Sequence, residues 1–256
     1  MEDARFTDVI LRRRNLRFPF PKRFRERLIG EAVVAVNRRA KYLVLPLSSD
    51  ETLLMHLGMS GSFRVDQAAG GTPSVAHDHV VFQMSSGAVV TFNDPRRFGS
   101  MDLIPSGALA AHPVWTALGP EPLSAEFDGG ALARACQGKK TSLKVALLDQ
   151  RVVAGLGNIY VSEALHIAGL SPQRQASTIA TASGLPRPAA HRLAGAIKAV
   201  LTEAIERQSA ARQYRSSRFR VYDRESERCR RRNCGGSIRR RTQAGRSTFF
   251  CPRCQR

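Results

Sequence analysis

Four cysteines near the end of the chain limit its folding more than any other feature. They stand as Cys229-x4-Cys234 and Cys251-x2-Cys254, with 16 residues between the pairs. Two close thiolate pairs separated by a hairpin-length spacer suit one tetrahedral zinc ion. The competing arrangement is two disulfides, which need an oxidising compartment. Residues 1–14, MEDARFTDVILRRR, lack the apolar run of a signal peptide, so zinc is the preferred reading. One structural Zn²⁺ held by Cys229, Cys234, Cys251 and Cys254 then predicts a ribbon, with strands over 237–241 and 246–250 closed around 242–245. Cys136 stands alone and reads as a buried packing residue.

The ribbon carries charge. Residues 211–256 hold 15 Arg, no Lys and 3 acids, which is +12 of the chain's formal +19. Guanidinium forks match phosphate oxygens two at a time, so cations in fixed geometry point to an anionic polymer. The 40 Lys and Arg against 21 Asp and Glu extend that bias to the whole chain. Such a protein is expected to bind nucleic acid in a salt-dependent way. No stretch approaches the roughly 18 apolar residues of a membrane span, so no membrane role is expected.

The rest of the 256-residue chain has two characters. FTDVILRR, EAVVAVNRR, YLVLPL, TLLMHLG, SFRVD, HVVFQM, AVVTFND and SMDLI are short runs rich in β-branched residues, broken by turns such as Ser48-Ser49-Asp50 and Ser85-Ser86-Gly87. They predict a β-sandwich over 1–105. Beyond Pro105, segments 108–115, 129–137, 143–148, 161–168 and 189–206 read as helices. The last carries an apolar stripe of Ala194, Ile197, Leu201 and Ile205. Segment 176–188 reads as a loop. The expected class is therefore α+β and multidomain: sandwich 1–105, a helical domain with a helix-two-turn-helix over 106–222, and a zinc ribbon over 223–256. A duplex would lie between sandwich and helices.

Four stretches could carry chemistry. HLGMSG (56–61) reads as a tight turn with Met59 at its tip. NDPRRFG (93–99) places Arg96, Arg97 and Phe98 at a loop apex, either as a surface turn or as a wedge entering a base stack. GKKTSLKVALLDQRVVAGLGNIYVSE (138–163) is a helix–turn–helix hairpin behind Lys139, Lys140 and Lys144, whose second helix could meet a phosphate with its N-terminal amides. RRAKYLVL brings Lys41 to the start of a strand, and HDH spans His77 to His79. Spacing alone singles out neither.

Taken together, RRAKY, HLGMSG, HDHV, NDPRRFG, LGPEPL, KTSLK, LLDQ, VAGLGNIYVSEAL, FRVYDRE and GRSTFFCPRCQ run in order over nearly the whole chain. In this order they resemble the formamidopyrimidine-DNA glycosylases, bacterial base-excision repair enzymes for oxidised purines. The resemblance implies a bifunctional glycosylase and AP lyase, monomeric and cytoplasmic, acting on duplex DNA that carries formamidopyrimidine, 8-oxoguanine or abasic sites. It implies that Met59, Arg96 and Phe98 fill the gap left by an extruded base, and that Lys41 donates a proton in β-elimination. His77, Arg96 and Lys139 would contact DNA, Asn158 a phosphate, and Arg246 would serve δ-elimination.

The resemblance also has two departures. The family's nucleophile is an N-terminal proline followed by glutamate, in a start resembling PELPEVET. This chain begins Met1-Glu2-Asp3-Ala4 and contains no PELPE, and Glu2 lies in the wrong register to be that glutamate. The segment between Glu206 and Arg218, which in the family covers the extruded purine, looks short. Three functions are therefore weighed: a repair enzyme whose true start lies upstream, a duplex-binding paralogue without glycosylase activity, and an unrelated zinc-ribbon factor. The last has no need for HLGMSG, DPRRFG and GLGNIY in one chain. In the second, Lys41 or the Met1 α-amino group could act as a surrogate amine at abasic sites.

Overall fold

Strands with one apolar face must bury it, and in the first unit two such faces meet. The computed structural model describes residues 1–67, 74–210 and 219–256. The chain divides into two compact units, Met1–Thr116 and Ala117–Arg256.

In the first unit, β1 (Phe6–Leu11), α1 (Phe24–Leu28), β2 (Asn37–Arg39), β3 (Tyr42–Pro46), β4 (Glu51–His56), β5 (Ser62–Gln67), β6 (Asp78–Met84), β7 (Ala88–Asn93) and β8 (Ser100–Pro105) follow in order. They form two antiparallel sheets, β1-β6-β7-β5 and β2-β3-β4-β8. Phe6, Val9, Val80, Phe82, Val90 and Phe92 of the first share one core with Leu45, Leu53, Met55, Met101 and Leu103 of the second. This is the expected sandwich.

Two expectations fail here, for visible reasons. EAVVAVNRR forms a strand only at its end. Its Val33 exchanges hydrogen bonds with Asp3 and Ala4, while Val34 bonds Pro46, so the amides reach different neighbours and make isolated bridges instead of a ladder. The helix expected over 108–115 is a 3₁₀ turn (Ser106–Ala111) followed by the one-turn α2 (Pro113–Thr116). Pro113 disfavours helical geometry at His112, which is extended at ψ 134°. Leu109 and Trp115 still pack, on Val44, Leu54 and Ile104 at the outer face of the second sheet.

The second unit holds α3 (Gly129–Cys136), α4 (Leu143–Leu148), α5 (Asn158–Ala168), a 3₁₀ turn (Ala176–Ile179), α6 (Pro188–Ala210) and the hairpin β9 (Arg239–Gln243) and β10 (Arg246–Phe250). Leu132, Cys136, Leu143, Leu147, Val161, Leu165, Leu193 and Ile197 lie in its core. The stripe on α6 holds for Ala194 and Ile197 and fails at Ile205, which is 56% exposed. Burial pushes the Cys136 thiol up to about 11, as suits a packing cysteine. Strand β9 starts two residues later than expected, because Ser237 bridges Arg228 and Ile238 bonds Glu227. The segment between Glu206 and Arg218, expected to be short, lies largely outside the described residues.

Candidate nucleic-acid interface and metal centre

At one edge of the first unit, His56 stands opposite Tyr42 and Ser100, and Asn93 stands opposite Ser62 and Asp78. Both sheets therefore end together there. The loop 57–61 crosses from β4 to β5 and the loop 94–99 crosses back from β7 to β8. A single carboxylate clasps them. Asp94, fully buried, accepts from Ser60 Oγ at 2.5 Å and from the Gly99 amide at 2.8 Å. Ser60 Oγ in turn accepts from the Arg96 amide at 3.2 Å. Burial alone would raise the Asp94 carboxyl. The bonds from Ser60 and from the amides of Gly99, Arg96 and Arg97 outweigh it and hold the group below its ordinary range.

The clasp brings together the residues expected to act as a wedge. Met59 is 73% exposed at the tip of its loop, and Phe98 is 41% exposed on the other. The Arg96 guanidinium stands 4.7 Å from the Phe98 ring centroid, within cation–π range. The loops touch so closely that a Cβ on Gly58 (φ 67°) would sit 2.4 Å from the Phe98 carbonyl carbon. Only glycine suits both that conformation and that approach. Beside the wedge, Asn15, Leu16, Arg17, Arg96, Arg97 and Phe98 line an open groove of about 460 Å³.

Two further expected residues lie nearby. His77 is exposed at φ 71°, and its carbonyl accepts from the Asp94 amide at 3.1 Å. Its neighbour His79 is buried and bonds the Asp94 carbonyl at 2.9 Å, so the second histidine of HDH is structural. Lys41 is exposed in the β2–β3 turn, one residue before the Tyr42–His56 pair. Burial, then the charges of Lys41 and Arg17, push the His56 imidazole below its ordinary value. The sandwich edge thus gathers Met59, His77, Arg96 and Phe98 around Asp94, with Lys41 and Arg17 near His56.

The second unit brings the helical hairpin to the ribbon. Lys139 follows α3 in a turn and Asn158 opens α5, a helix whose N-cap Gly157 offers no side-chain bond. Asn158 Nδ2 donates to the Ser247 carbonyl at 3.0 Å. Lys144 differs from the expectation. It is fully buried, and its ammonium donates to the same carbonyl at 2.8 Å and to Thr248 Oγ1 at 2.6 Å. It ties α4 to β10 instead of flanking a phosphate site. Burial, then the charge of Arg246, push its pKa down to about 8. Arg246 itself is exposed just after the two-residue turn Ala244-Gly245.

The four ribbon cysteines converge. Their sulfurs all lie within 4.8 Å of one another, with Cys229 and Cys254 at 3.8 Å and Cys234 and Cys251 at 3.6 Å. A ZnS₄ tetrahedron with Zn–S near 2.3 Å has S···S edges of about 3.8 Å. Burial raises the Cys229 and Cys254 thiols above their ordinary range. A divalent cation is what makes four thiolates tenable there. The donor set and spacing fit one structural zinc, which supplies folding energy to so small a ribbon.

Comparison with known proteins agrees with this geometry. A formamidopyrimidine-DNA glycosylase from Rhodopseudomonas palustris (strain BisA53) is 55% identical over 276 aligned residues, covering 100% of this chain and 94% of the relative. The chain belongs to the formamidopyrimidine-DNA glycosylase family. The relative from Beijerinckia indica is also 55% identical, over 271 aligned residues and the same shares of each chain. Family models match in series: the formamidopyrimidine-DNA glycosylase N-terminal domain over residues 1–101, the H2TH domain of these glycosylases over 118–216, and a zinc finger found in FPG and IleRS over 226–256. Among solved structures, the Lactococcus lactis enzyme bound to DNA containing an AP site aligns with TM-score 0.86 at 28% identity, over 100% of this chain and 94% of that one. MutM in complex with DNA containing carbocyclic 8-oxo-G aligns with TM-score 0.87 at 29% identity, over the same shares of the two chains.

Sequence reading missed the residues that hold this glycosylase-family site together. Asp94 is visible in NDPRRFG, but its bond to Ser60 spans 34 positions. Glu163 is buried on α5, and its carboxylate accepts from the amides of Arg220, Val221 and Tyr222 at 2.7 to 2.9 Å. A charged residue inside an otherwise apolar helix stripe was the available signal.

Proposed function

We propose that this protein is a base-excision repair DNA glycosylase of the formamidopyrimidine type, acting on oxidised purines and abasic sites in duplex DNA. The observation that carries the reading is the Asp94 clasp, which holds Met59, Arg96 and Phe98 at one edge of the sandwich in a chain 55% identical to named relatives. A purine's glycosidic carbon is unreachable inside a stacked duplex, so the base must leave the stack and something must fill its place. An exposed thioether and a ring stacked under a guanidinium have the shape and polarity for that. Lys139, Asn158 and the exposed ribbon arginines offer cations and donors to phosphates. In this assignment His77 and Arg96 contact the backbone near the lesion, Lys41 delivers a proton during β-elimination, and Arg246 serves the second elimination. The division 1–105, 106–222 and 223–256 follows these roles.

Base removal needs an amine. Its lone pair attacks C1′ and the glycosidic bond breaks with its electrons to the base, which takes up a proton. The bound nitrogen then loses a proton, and its lone pair opens the sugar ring. The C1′–O4′ bond breaks with its electrons to O4′, which is protonated, leaving a Schiff-base iminium at C1′. The family's N-terminal proline and glutamate have no counterpart among residues 1–256. The alternative to this reading is a zinc-dependent binder of damaged duplexes with weak or no lyase action. In that alternative Lys41, exposed in the β2–β3 turn, is the candidate surrogate amine.

Borohydride trapping on a duplex with an abasic site separates the two. A covalent adduct mapped to one amine supports lyase chemistry. Its disappearance in Lys41→Ala would assign it to Lys41. Salt-dependent binding without any adduct would leave the binder reading and overturn activity of these 256 residues by themselves.

A further inference from the structure

The last turn of α5 ends on HIAGL, where His166 is only 3% exposed. An apolar residue would fill that position as well, yet the imidazole is aimed at the metal centre. Its Nε2 lies 3.3 Å from Cys229 Sγ. The same sulfur receives the Arg231 backbone amide at 3.5 Å. The Arg231 guanidinium turns back and donates to the carbonyls of His166 and Ile167, capping the negative end of α5. At the other end of the ribbon, the Arg256 amide donates to Gly169 O at 3.1 Å and Gln255 Nε2 donates to Leu170 O at 3.0 Å. The ribbon is thus bonded to the residues just beyond α5 as well as to its last turn, and only His166 reaches a cysteine sulfur from the helix among the described residues.

The direction of that bond follows from the chemistry of the sulfur. A zinc-bound Cys229 is a thiolate and only accepts. A neutral imidazole has one N–H and one lone pair. If the proton sat on Nδ1, the Nε2 lone pair would face a negative sulfur and a buried donor would have no partner, since Nδ1 bonds nothing among the described residues. With the proton on Nε2 the thiolate gains a donor, and the orphaned atom is an acceptor, the cheaper of the two to leave bare. Four thiolates around one Zn²⁺ carry a net charge of −2, so each N–H aimed at a sulfur offsets charge the buried site otherwise retains.

We propose that His166 is an outer positioning residue of the zinc site, donating Nε2–H to the Cys229 thiolate and making the C-terminal turn of α5 part of the metal centre. The proposal rests on zinc occupying the four cysteines, so metal content is measured first and separates failure of that premise from failure of this one. Through the bond, His166 lowers the nucleophilicity of Cys229 and slows metal loss.

The first test uses the full chain unaltered. With cadmium-113 in place of zinc, ¹⁵N spectra of the His166 ring are expected to show the Nε2–H tautomer and scalar coupling from that proton to the metal across Cys229. The Nδ1–H tautomer, or no coupling, would overturn the proposal. The second test compares His166→Phe, which keeps a ring and removes the donor, with His166→Gln, which keeps an N–H. In the Phe variant zinc affinity is expected to fall roughly 10- to 100-fold, iodoacetamide to alkylate Cys229 faster, and the thiolate charge-transfer band of the cobalt form to move to lower energy. The Gln variant should recover most of each. Equal defects in both variants would mean that packing alone is at work, and an unchanged Phe variant would remove His166 from the site.

Discussion

Asp94 is a buried carboxylate that meets no cation among the described residues. Its partners are a hydroxyl and backbone amides, so its charge organises the backbone of two loops. Asp94→Ala leaves Ser60 Oγ and the Gly99 amide without their acceptor and should cost about 2–3 kcal/mol, read as a lower urea midpoint at pH 7. Because the folded carboxyl titrates below its ordinary value, the folded state binds this proton less readily than the unfolded chain does. The stabilisation is therefore present above about pH 4 and lost as pH falls through the folded value. Acid titration should unfold the wild type more steeply than Asp94→Ala.

Lys144 has the same sign in a higher pH range. Its folded pKa near 8 lies below the ordinary 10.5, so between those values the unfolded state binds more protons. Stability should rise as pH increases from about 8 to 10.5, and Lys144→Met should lack that rise. Neither role was readable from the chain. Lys144 sits in a run of lysines that looks like a phosphate-binding face, and only the arrival of Ser247 and Thr248 from 103 and 104 positions away turns it inward. Cys229, Cys234, Cys251 and Cys254 were legible because their chemistry fixes their geometry at short range.

Among elements, those whose hydrogen bonds and apolar faces are satisfied by regular neighbours were legible. β4, β6 and β7 alternate or run apolar and pair over most of their length. EAVVAVNRR has the same composition and fails, because Val33 and Val34 bond two different segments. The helix at 108–115 failed at a proline, a signal present in the sequence. The ribbon hairpin depends on the turn Ala244-Gly245, whose residues both adopt left-handed conformations, at φ 47° and 72°. Such a two-residue turn favours Asn-Gly. Alanine has no local bond to offset the conformation, so Ala244→Asn should stabilise the zinc-loaded protein by about 0.5–1 kcal/mol. A thermal midpoint unchanged or lowered would show that the turn relaxes on its own.

At the scale of the molecule, a basic chain carries the clasped loops. A net charge of +19 supplies affinity for any duplex, without regard to damage, and that affinity weakens steeply with salt. Under the proposed function, selectivity comes from the clasped loops, because an abasic site removes the stacking that Met59 and Phe98 would otherwise have to disrupt. The two contributions are separable at fixed ionic strength. The direct measurement is the affinity of the zinc-loaded protein for a duplex with one stable abasic analogue, against the same duplex intact, in wild type and in the double variant Met59→Ala, Phe98→Ala. The account predicts that the wild type prefers the abasic duplex by more than about tenfold, and that the double variant loses that preference while keeping its affinity for intact DNA. Equal affinity of the wild type for both duplexes, or a preference that survives the double substitution, would contradict it.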